Sequence, residues 1–399
     1  MVANSGVTPP LPLSPLFVAL EYLMSFCFIH TSDLHLGTKF ANIPEPPDGT
    51  VRGRLREARH AVIRRIAQTA RDHGATDILL AGDTFHTPTP SHSVVRQALS
   101  AMGEDPSVRW WLLPGNHDNL REAEPLWDMI ARDAPSNVQA IVAASPIILS
   151  PDATLLPCPV IWRSAGTDPT DALVAMPSDT GALRIGLAHG GVTDFTDAGA
   201  NIPPDRDVSA RLDYLALGDW HGRVQIGPRV QYCGTPEQDR FKHGQRGVCL
   251  AVTLDGPGAA PQVKEVEVGH FLWQELALEL TPRANTAAAL SALLPVAGRR
   301  DLLIRVQATG WAGLPDQVEL QRAATRLGPE FAHFDLQTDK LGTQYDIADL
   351  DEIDRGGALR LAADTLLAAA EDEAASQADR DVSADALARL YAIVKGDQT

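Results

Sequence analysis

The sequence predicts an α/β fold, and three observations carry that prediction. Short apolar runs of the kind that form buried strands recur through the first half of the chain, stretches with apolar residues at helical spacing lie between the first of them, and every run breaks at once into glycine, aspartate, histidine or asparagine. Open α/β sheets gather their functional groups at the carboxyl ends of the strands, so these breaks are where chemistry is expected.

Taken in order, the first run is Phe26 to Ile29, followed by His30, Thr31, Ser32, Asp33, Leu34, His35, Leu36 and Gly37. If extension continues, strand alternation sets Asp33 and His35 on the same side, an oxygen beside a nitrogen. One such pair decides little; its company decides. Leu55, Ala58, Val62, Ile66 and Ala70 predict a helix over 54–73, stopped by Gly74. Asp77 to Ala81 then runs into Gly82, Asp83, Thr84, Phe85 and His86. A shorter helix over 94–102 leads to the strand Trp110 to Leu113 and the turn Pro114, Gly115, Asn116, His117, Asp118. Arg184 to Ala188 runs into His189, and Tyr214 to Leu217 into Gly218, Asp219, Trp220 and His221. Gly82, Gly115 and Gly218 allow sharp turns and close backbone approach to an ion or phosphate. Five strand-end clusters of Asp, His and Asn exceed ordinary turn chemistry and point to a metal site.

The 399 residues, 44% hydrophobic, suffice for a large core and two or three domains. The four cysteines show no CxxC spacing, which excludes a zinc ribbon or disulfide framework and fits a cytoplasmic protein. A formal charge of −17 excludes a uniformly basic nucleic-acid binder. The charge is uneven, however: residues 346–399 hold thirteen acids against five bases, whereas Arg52 to Arg71 holds seven arginines and one acid, Glu57, and is expected to form a basic patch. Residues 1–23 are too proline-broken for a membrane span and lack the basic start of a signal peptide, so they are expected to lie outside the fold, with Met24 as a natural start. No membrane association is expected.

As an ordered set, DLH at 33–35, GDTFH at 82–86, GNHD at 115–118, HG at 189–190 and GDWH at 218–221 resemble the calcineurin-like metallophosphoesterases. HTSDLHLG together with AGDTFHTPTPS is similar, more narrowly, to the SbcD-type nucleases of double-strand-break repair. The likeness covers roughly residues 24 to 250. It implies a four-layer αββα sandwich with two divalent ions between the sheets, usually Mn2+, with Mg2+, Fe2+ and Zn2+ as alternatives. Carried over by position, Asp33, His35 and His221 hold the first ion, Asn116 and His189 the second, and Asp83 bridges them. Carboxylate and imidazole donors suit such ions, and a dinuclear centre of this kind activates water against a phosphodiester. His117 then lies beside the phosphate, where it protonates the leaving sugar oxygen. His86 contacts substrate or supports His117, and Asp118 accepts hydrogen bonds from its own loop; these three complete the catalytic candidates. One position departs from the family: Asp219 stands where the first histidine of GHxH is usual. It is expected either on the second ion or as an orienting group outside the coordination sphere. His30 is expected to face away from the site, and His60, His73, His92 and His243 to be solvated.

After a strand over 248–253 and the turn DGPGAAP, the pattern strand, helix (286–294), strand, helix (315–327), strand predicts a small α/β domain. Domain limits are expected at 24–255, 270–345 and 346–399, the last an acidic segment with two helical signatures divided by EDEAASQADRD. The resemblance implies that the middle region caps the groove and helps engage DNA, and that the tail binds an SMC-like ABC ATPase. A homodimer is left open. The leading expectation is a Mn2+-dependent DNA nuclease of DNA repair; the alternatives are a metallophosphoesterase for small nucleotides or phosphomonoesters, and a non-catalytic adaptor retaining the fold.

Overall fold

The computed structural model describes residues 25–394 except 46–48, 164–165, 194–200, 283, 345–349, 352 and 355. The extension expected over residues 1–23 lies outside the described residues. The chain opens with β1 (Phe26–Thr31), α1 (Val51–Asp72), β2 (Asp77–Leu80), α2 (His92–Gly103), β3 (Arg109–Leu112), α3 (Glu124–Asp133) and β4 (Val138–Ala140). The strands β1 to β4 pair in parallel. Two later strands extend the set, β11 (Val248–Leu254) antiparallel to β1 and β12 (Gln262–Glu267) antiparallel to β11, giving a six-stranded sheet of order β12-β11-β1-β2-β3-β4. The first sheet thus extends past residue 255, the expected boundary, through β12.

A second six-stranded sheet has order β5-β6-β7-β8-β10-β9. Its strands are β5 (Ile147–Ser150), β6 (Ala153–Cys158), β7 (Leu183–His189), β8 (Tyr214–Gly218), β9 (Val224–Gln225) and β10 (Val230–Tyr232), with the short helix α4 (Arg206–Ser209) between β7 and β8. Period-two alternation explains why these strands read as unbroken apolar runs, since both faces are buried. Phe28, Leu79 and Trp111 of the first sheet pack against Leu155, Ile185 and Tyr214 of the second. Their neighbours Ile29, Ile78 and Trp110 point the other way, onto Val62, Ile66, Ala98 and Trp127 of α1, α2 and α3. The outer face of the second sheet meets only short segments, with Leu173, Ile202 and Leu212 over Leu215 and Leu217.

A third, three-stranded parallel sheet follows, β13 (Leu272–Leu280), β14 (Leu302–Gly313) and β15 (His333–Gln344), covered by α5 (Thr286–Leu293) and α6 (Leu314–Leu327). Two further helices, α7 (Ala358–Glu371) and α8 (Gln377–Val394), close the described chain. Ala363, Leu387 and Tyr391 of this pair share a cluster with Leu314 and Val318 of α6, so the tail docks on its own chain. The break between the two helices falls within the acidic stretch, as expected, at residues 372–376, and α8 begins inside it at Gln377. All four cysteines are free thiols, and among the described residues no helix is long and apolar enough to cross a membrane.

Most of the charge expected to make a basic patch of Arg52 to Arg71 is spent on structure, since every arginine of the run but Arg56 meets a carboxylate. Arg59 is buried and donates to the carbonyls of Leu34 and Glu237. Arg64 pairs with Glu104, Arg65 with Glu237, Arg71 with Asp105 and Arg54 with Asp301. Arg52 pairs with Glu45 and donates to the Ile43 carbonyl, and Arg56 donates to the carbonyl of Arg52. Of the histidines expected to be solvated, His60 is buried, His73 Nδ1 lies 3.0 Å from the Thr69 carbonyl, and His243 packs edge-on against Trp220 at 5.7 Å. His92 is exposed, at the start of α2. His30 does turn away from the site, bonding Tyr214 Oη at 3.0 Å and the Leu217 carbonyl at 3.1 Å.

Candidate metal centre

The loops that follow β1 and β2 zip together: Asp33 N donates to the Gly82 carbonyl at 3.1 Å and His35 N to the Asp83 carbonyl at 3.0 Å. This pairing, rather than continued extension, sets the direction of the first two candidate ligands. β1 ends at Thr31, and Asp33 and His35 both take left-handed backbone angles, φ 53° and 43°. The alternation argument therefore gives the right pair for the wrong reason. Asp83 and Asp219 are left-handed as well, at φ 55° and 107°.

The side chains converge. His35 Nε2 lies 3.4 Å from Asp83 Oδ2, 3.7 Å from Asp33 Oδ1 and 3.1 Å from His221 Nε2. On the other side of Asp83, His189 Nε2 lies 3.6 Å from Asp83 Oδ2 and 3.7 Å from Asp219 Oδ1, and Asn116 Nδ2 donates to Asp219 Oδ1 at 3.1 Å. Asp33, His35 and His221 form one donor cluster able to hold a cation, and Asp33, Asp83 and His189 another. Asp33 is common to both, and Asp83 Oδ2 lies 3.4 Å from His35 Nε2 and 3.6 Å from His189 Nε2. Asp219 belongs to neither cluster but lies beside His189, and its backbone N–H donates to Asp33 Oδ2 at 3.2 Å.

Buried polar atoms normally find a hydrogen-bond partner. Asp33 Oδ1, Asn116 Oδ1 and His189 Nε2 are buried without one, and Asp33 and His189 belong to this cluster. A divalent cation would satisfy each, so the donor set fits the ions that the fold implies. The imidazoles are oriented for it. His189 Nδ1 sits 2.8 Å from the Ala81 carbonyl, and His221 Nδ1 sits 2.8 Å from Asp239 Oδ2, which in each case turns Nε2 toward the cluster.

The electrostatics are those of crowded carboxylates. Burial, reinforced by Asp118 and Asp33, lifts Asp83 well above the usual carboxylate range despite the opposing charge of His189. Burial pulls His189 down, but Asp83, Asp33 and Asp219 outweigh it and bring the imidazole up to about 9. Asp33 goes the other way: burial would raise it, yet the His35 hydrogen bond and the charges of His189 and His221 hold it well below the usual range.

Of the three catalytic candidates, His86 and His117 are half-buried beside His35, whereas Asp118 is fully buried. His117 Nδ1 lies 2.9 Å from the His86 carbonyl, and its ring stacks on that of His86 at 5.3 Å and meets His35 edge-on at 4.8 Å. Its backbone N–H donates to Asp83 Oδ1 at 2.9 Å, tying it to the bridging position. Asp118 accepts from Phe85 N at 3.0 Å and Gly115 N at 2.7 Å, holding its own loop and the loop after β2 together. The glycines also leave room for the neighbouring side chains and backbone. A Cβ on Gly115 would sit 2.2 Å from Asp83 Oδ1, one on Gly82 2.2 Å from His189 Nδ1, and one on Gly218 2.0 Å from the Ala81 carbonyl.

Sequence reading missed Asp239 and Arg59. Asp239 fixes the His221 ring and is held by Arg59, while Thr235 Oγ1 donates to the Asp33 carbonyl at 2.9 Å. The signal was the same as elsewhere: the apolar run ending in Tyr232 and Cys233 breaks at Gly234 into Thr235, Glu237 and Asp239.

Two facing sheets bring strand-end carboxylates and imidazoles into clusters able to hold cations. Residues 27–207, a little under half of the chain, match the family model of calcineurin-like phosphoesterases. It is 26% identical over 283 residues to an uncharacterized metallophosphoesterase, YhaO, of Bacillus subtilis (strain 168), a match covering 67% of this chain and 66% of that one. It is 27% identical over 258 residues to the D subunit of nuclease SbcCD from Escherichia coli (strain K12), covering 52% of this chain and 60% of that one. The chain thus spans somewhat less than two thirds of the length of these relatives.

Proposed function

We propose that the protein is a divalent-metal DNA phosphodiesterase of DNA repair, using Mn2+ and working with an SMC-like ABC ATPase. The observation that carries the reading is the donor cluster of Asp33, Asp83 and His189, in which Asp33 Oδ1 and His189 Nε2 are buried without a hydrogen-bond partner. On this reading Asp33, His35 and His221 hold one ion, Asn116, His189 and Asp219 the other, and Asp83 bridges. Such a pair, when bound, neutralises phosphate charge and activates water for attack on phosphorus. The chain's own residues supply the rest. His117, anchored through Nδ1 on the His86 carbonyl, presents Nε2 to the leaving oxygen as proton donor. His86 holds that ring by stacking, and Asp118 fixes the loop that carries it.

Polymer DNA as substrate and an ATPase as partner draw support from the likeness to the SbcCD nuclease. Residues 24–267 then form the phosphoesterase unit, 270–345 a cap, and 346–399 a partner-facing segment. Hydrolysis of end-labelled single- and double-stranded DNA beside bis-p-nitrophenyl phosphate, with Mn2+ or Mg2+, tests the reading. Cleavage of both DNA and diester is expected. His117→Ala should keep both ions and lose about 10²- to 10⁴-fold in rate. Diester hydrolysis without DNA cleavage would move the substrate to small nucleotides, and neither activity would leave only a folded adaptor.

A further inference from the structure

The stretch Asp239 to Arg246, DRFKHGQR, brings Arg240, Lys242, His243 and Arg246 together with a single acid in a chain of net charge −17. That acid is already engaged. Asp239 lies 2.8 Å from His221 Nδ1, 3.5 Å from Arg59 and 2.9 Å from Arg240 Nε. Beside His221 opens a cavity of about 330 Å3, walled by Lys242, His243 and Arg246 together with Trp220, His221 and Arg223, the last paired with Glu265, and no carboxylate lines it. The Lys242 ammonium sits 4.6 Å over the Trp220 ring and, among the described residues, meets no carboxylate. Arg246 donates to the His270 carbonyl, which leaves its charge unneutralised at the rim. Clustered cations repel one another, and a concave cationic site concentrates anions. His221 belongs both to this wall and to the candidate metal cluster, so the cavity shares one side chain with the candidate centre.

We propose that this cavity is a subsite for a second phosphate of the substrate, the phosphodiester adjacent to the one being cleaved, with Lys242 and Arg246 meeting it. The proposal rests on the phosphodiesterase reading above and sharpens it: the site selects a strand over a mononucleotide. It also shifts the expected polyanion-binding surface from the arginine-rich helix, whose arginines other than Arg56 each meet a carboxylate, to the loop after β10.

Two measurements test it. The first follows binding of a labelled single-stranded oligonucleotide in EDTA by fluorescence anisotropy across a salt series. Lys242→Glu should weaken binding about tenfold or more and lower the slope of log K against log salt by about 0.7 for each phosphate that is no longer neutralised. Lys242→Met, which keeps the stem over Trp220, should show a smaller loss, and the helix variant Arg52→Glu/Arg56→Glu should bind as wild type. The second measures, with Mn2+, the ratio of kcat/KM for a dinucleotide bearing a terminal phosphate to that for the same dinucleotide without it. The ratio should exceed about ten in wild type and fall toward one in both Lys242 variants, a discrimination of about 1.4 kcal/mol. Equal affinity and an equal ratio in wild type and Lys242 variants overturn the subsite. A wild type that hydrolyses neither dinucleotide nor bis-p-nitrophenyl phosphate overturns the phosphodiesterase reading instead, and the binding arm in EDTA then still decides whether the loop takes phosphate.

Discussion

Asp33, His35, Asp83 and Asp219 occupy backbone angles that cost about 1–3 kcal/mol each and persist only where the surroundings over-determine them. Asp219, at φ 107°, lies furthest from the ordinary left-handed region. Its carboxylate is held by Asn116 and faces His189, which favours the coordinating role over the orienting one. Asp219→Asn should weaken the second ion by about tenfold or more while the ion at Asp33, His35 and His221 stays bound. Asp83→Ala should remove both. Titration calorimetry and metal analysis read the stoichiometry, and an Asp219→Asn protein with two ions at wild-type affinity would place the residue outside the coordination sphere. The metal-free protein should also show the cluster's protons. With His189 raised from 6.5 to about 9, the folded apo chain binds a proton that the unfolded chain releases near 6.5. Its contribution to apo stability is therefore full below 6.5 and lost as pH rises through about 9. Metal needs the neutral imidazole, so apparent affinity should climb with pH to about 9 and binding at pH 7 should release about one proton. Affinity independent of pH between 6.5 and 9 would remove His189 from the ligand set.

At the scale of elements, the loops after β1, β2, β3, β7 and β8 all deliver their residues to one place, and this much was legible because a buried parallel strand and a polar turn look so unlike in sequence. The helix expected at 54–73 came as 51–72, and the alternation beyond residue 270 came as β13, α5, β14, α6 and β15. What charge counting could not see were the partners. Arg64 meets Glu104, Arg71 meets Asp105, and Arg65 meets Glu237, all distant in sequence, so a run that looked like a basic face is a set of ion pairs and carbonyl bonds. The role of the glycines was likewise half visible. Their need for space was read correctly, and atoms of the candidate ligands are among those that crowd them. Gly115→Ala should accordingly push Asp83 aside, costing about 1–3 kcal/mol in stability and weakening both ions. A thermal melt and a metal titration check it together; a variant with both ions at wild-type affinity shows that the turn does not set the position of Asp83.

Across the whole molecule, the third sheet is tied to the metal-bearing loops by one aromatic joint. Trp273 of β13 is fully buried, 5.1 Å from Phe241 and 6.1 Å from Phe40, in a cluster that also takes Val51 and Leu55 of α1 and Leu303 of β14. Its backbone N–H donates to Gln238 Oε1 at 3.0 Å, next to Asp239, which orients His221. Phe241 sits between Arg240 and Lys242 and lies under the Arg305 guanidinium of β14 at 4.3 Å. Packing of the small sheet therefore sets where the cationic loop stands relative to the metals. No periodicity could have announced this, because the joint brings together residues near 40, 240 and 273 whose local patterns are ordinary strand and turn. Removing the indole leaves a cavity that rigid strands cannot fill, so Trp273→Ala should lower stability by about 3–5 kcal/mol. The loss should fall on the joint rather than on either core, since the clusters around Ile304 and around Phe28 do not include Trp273. Calorimetry should then show the third sheet melting ahead of the two large ones, and hydrogen exchange should speed in β13 to β15 and in residues 238–246 together. A single transition shifted by less than about 1 kcal/mol, with exchange in 238–246 unchanged, would mean that the loop holds its place without the sheet.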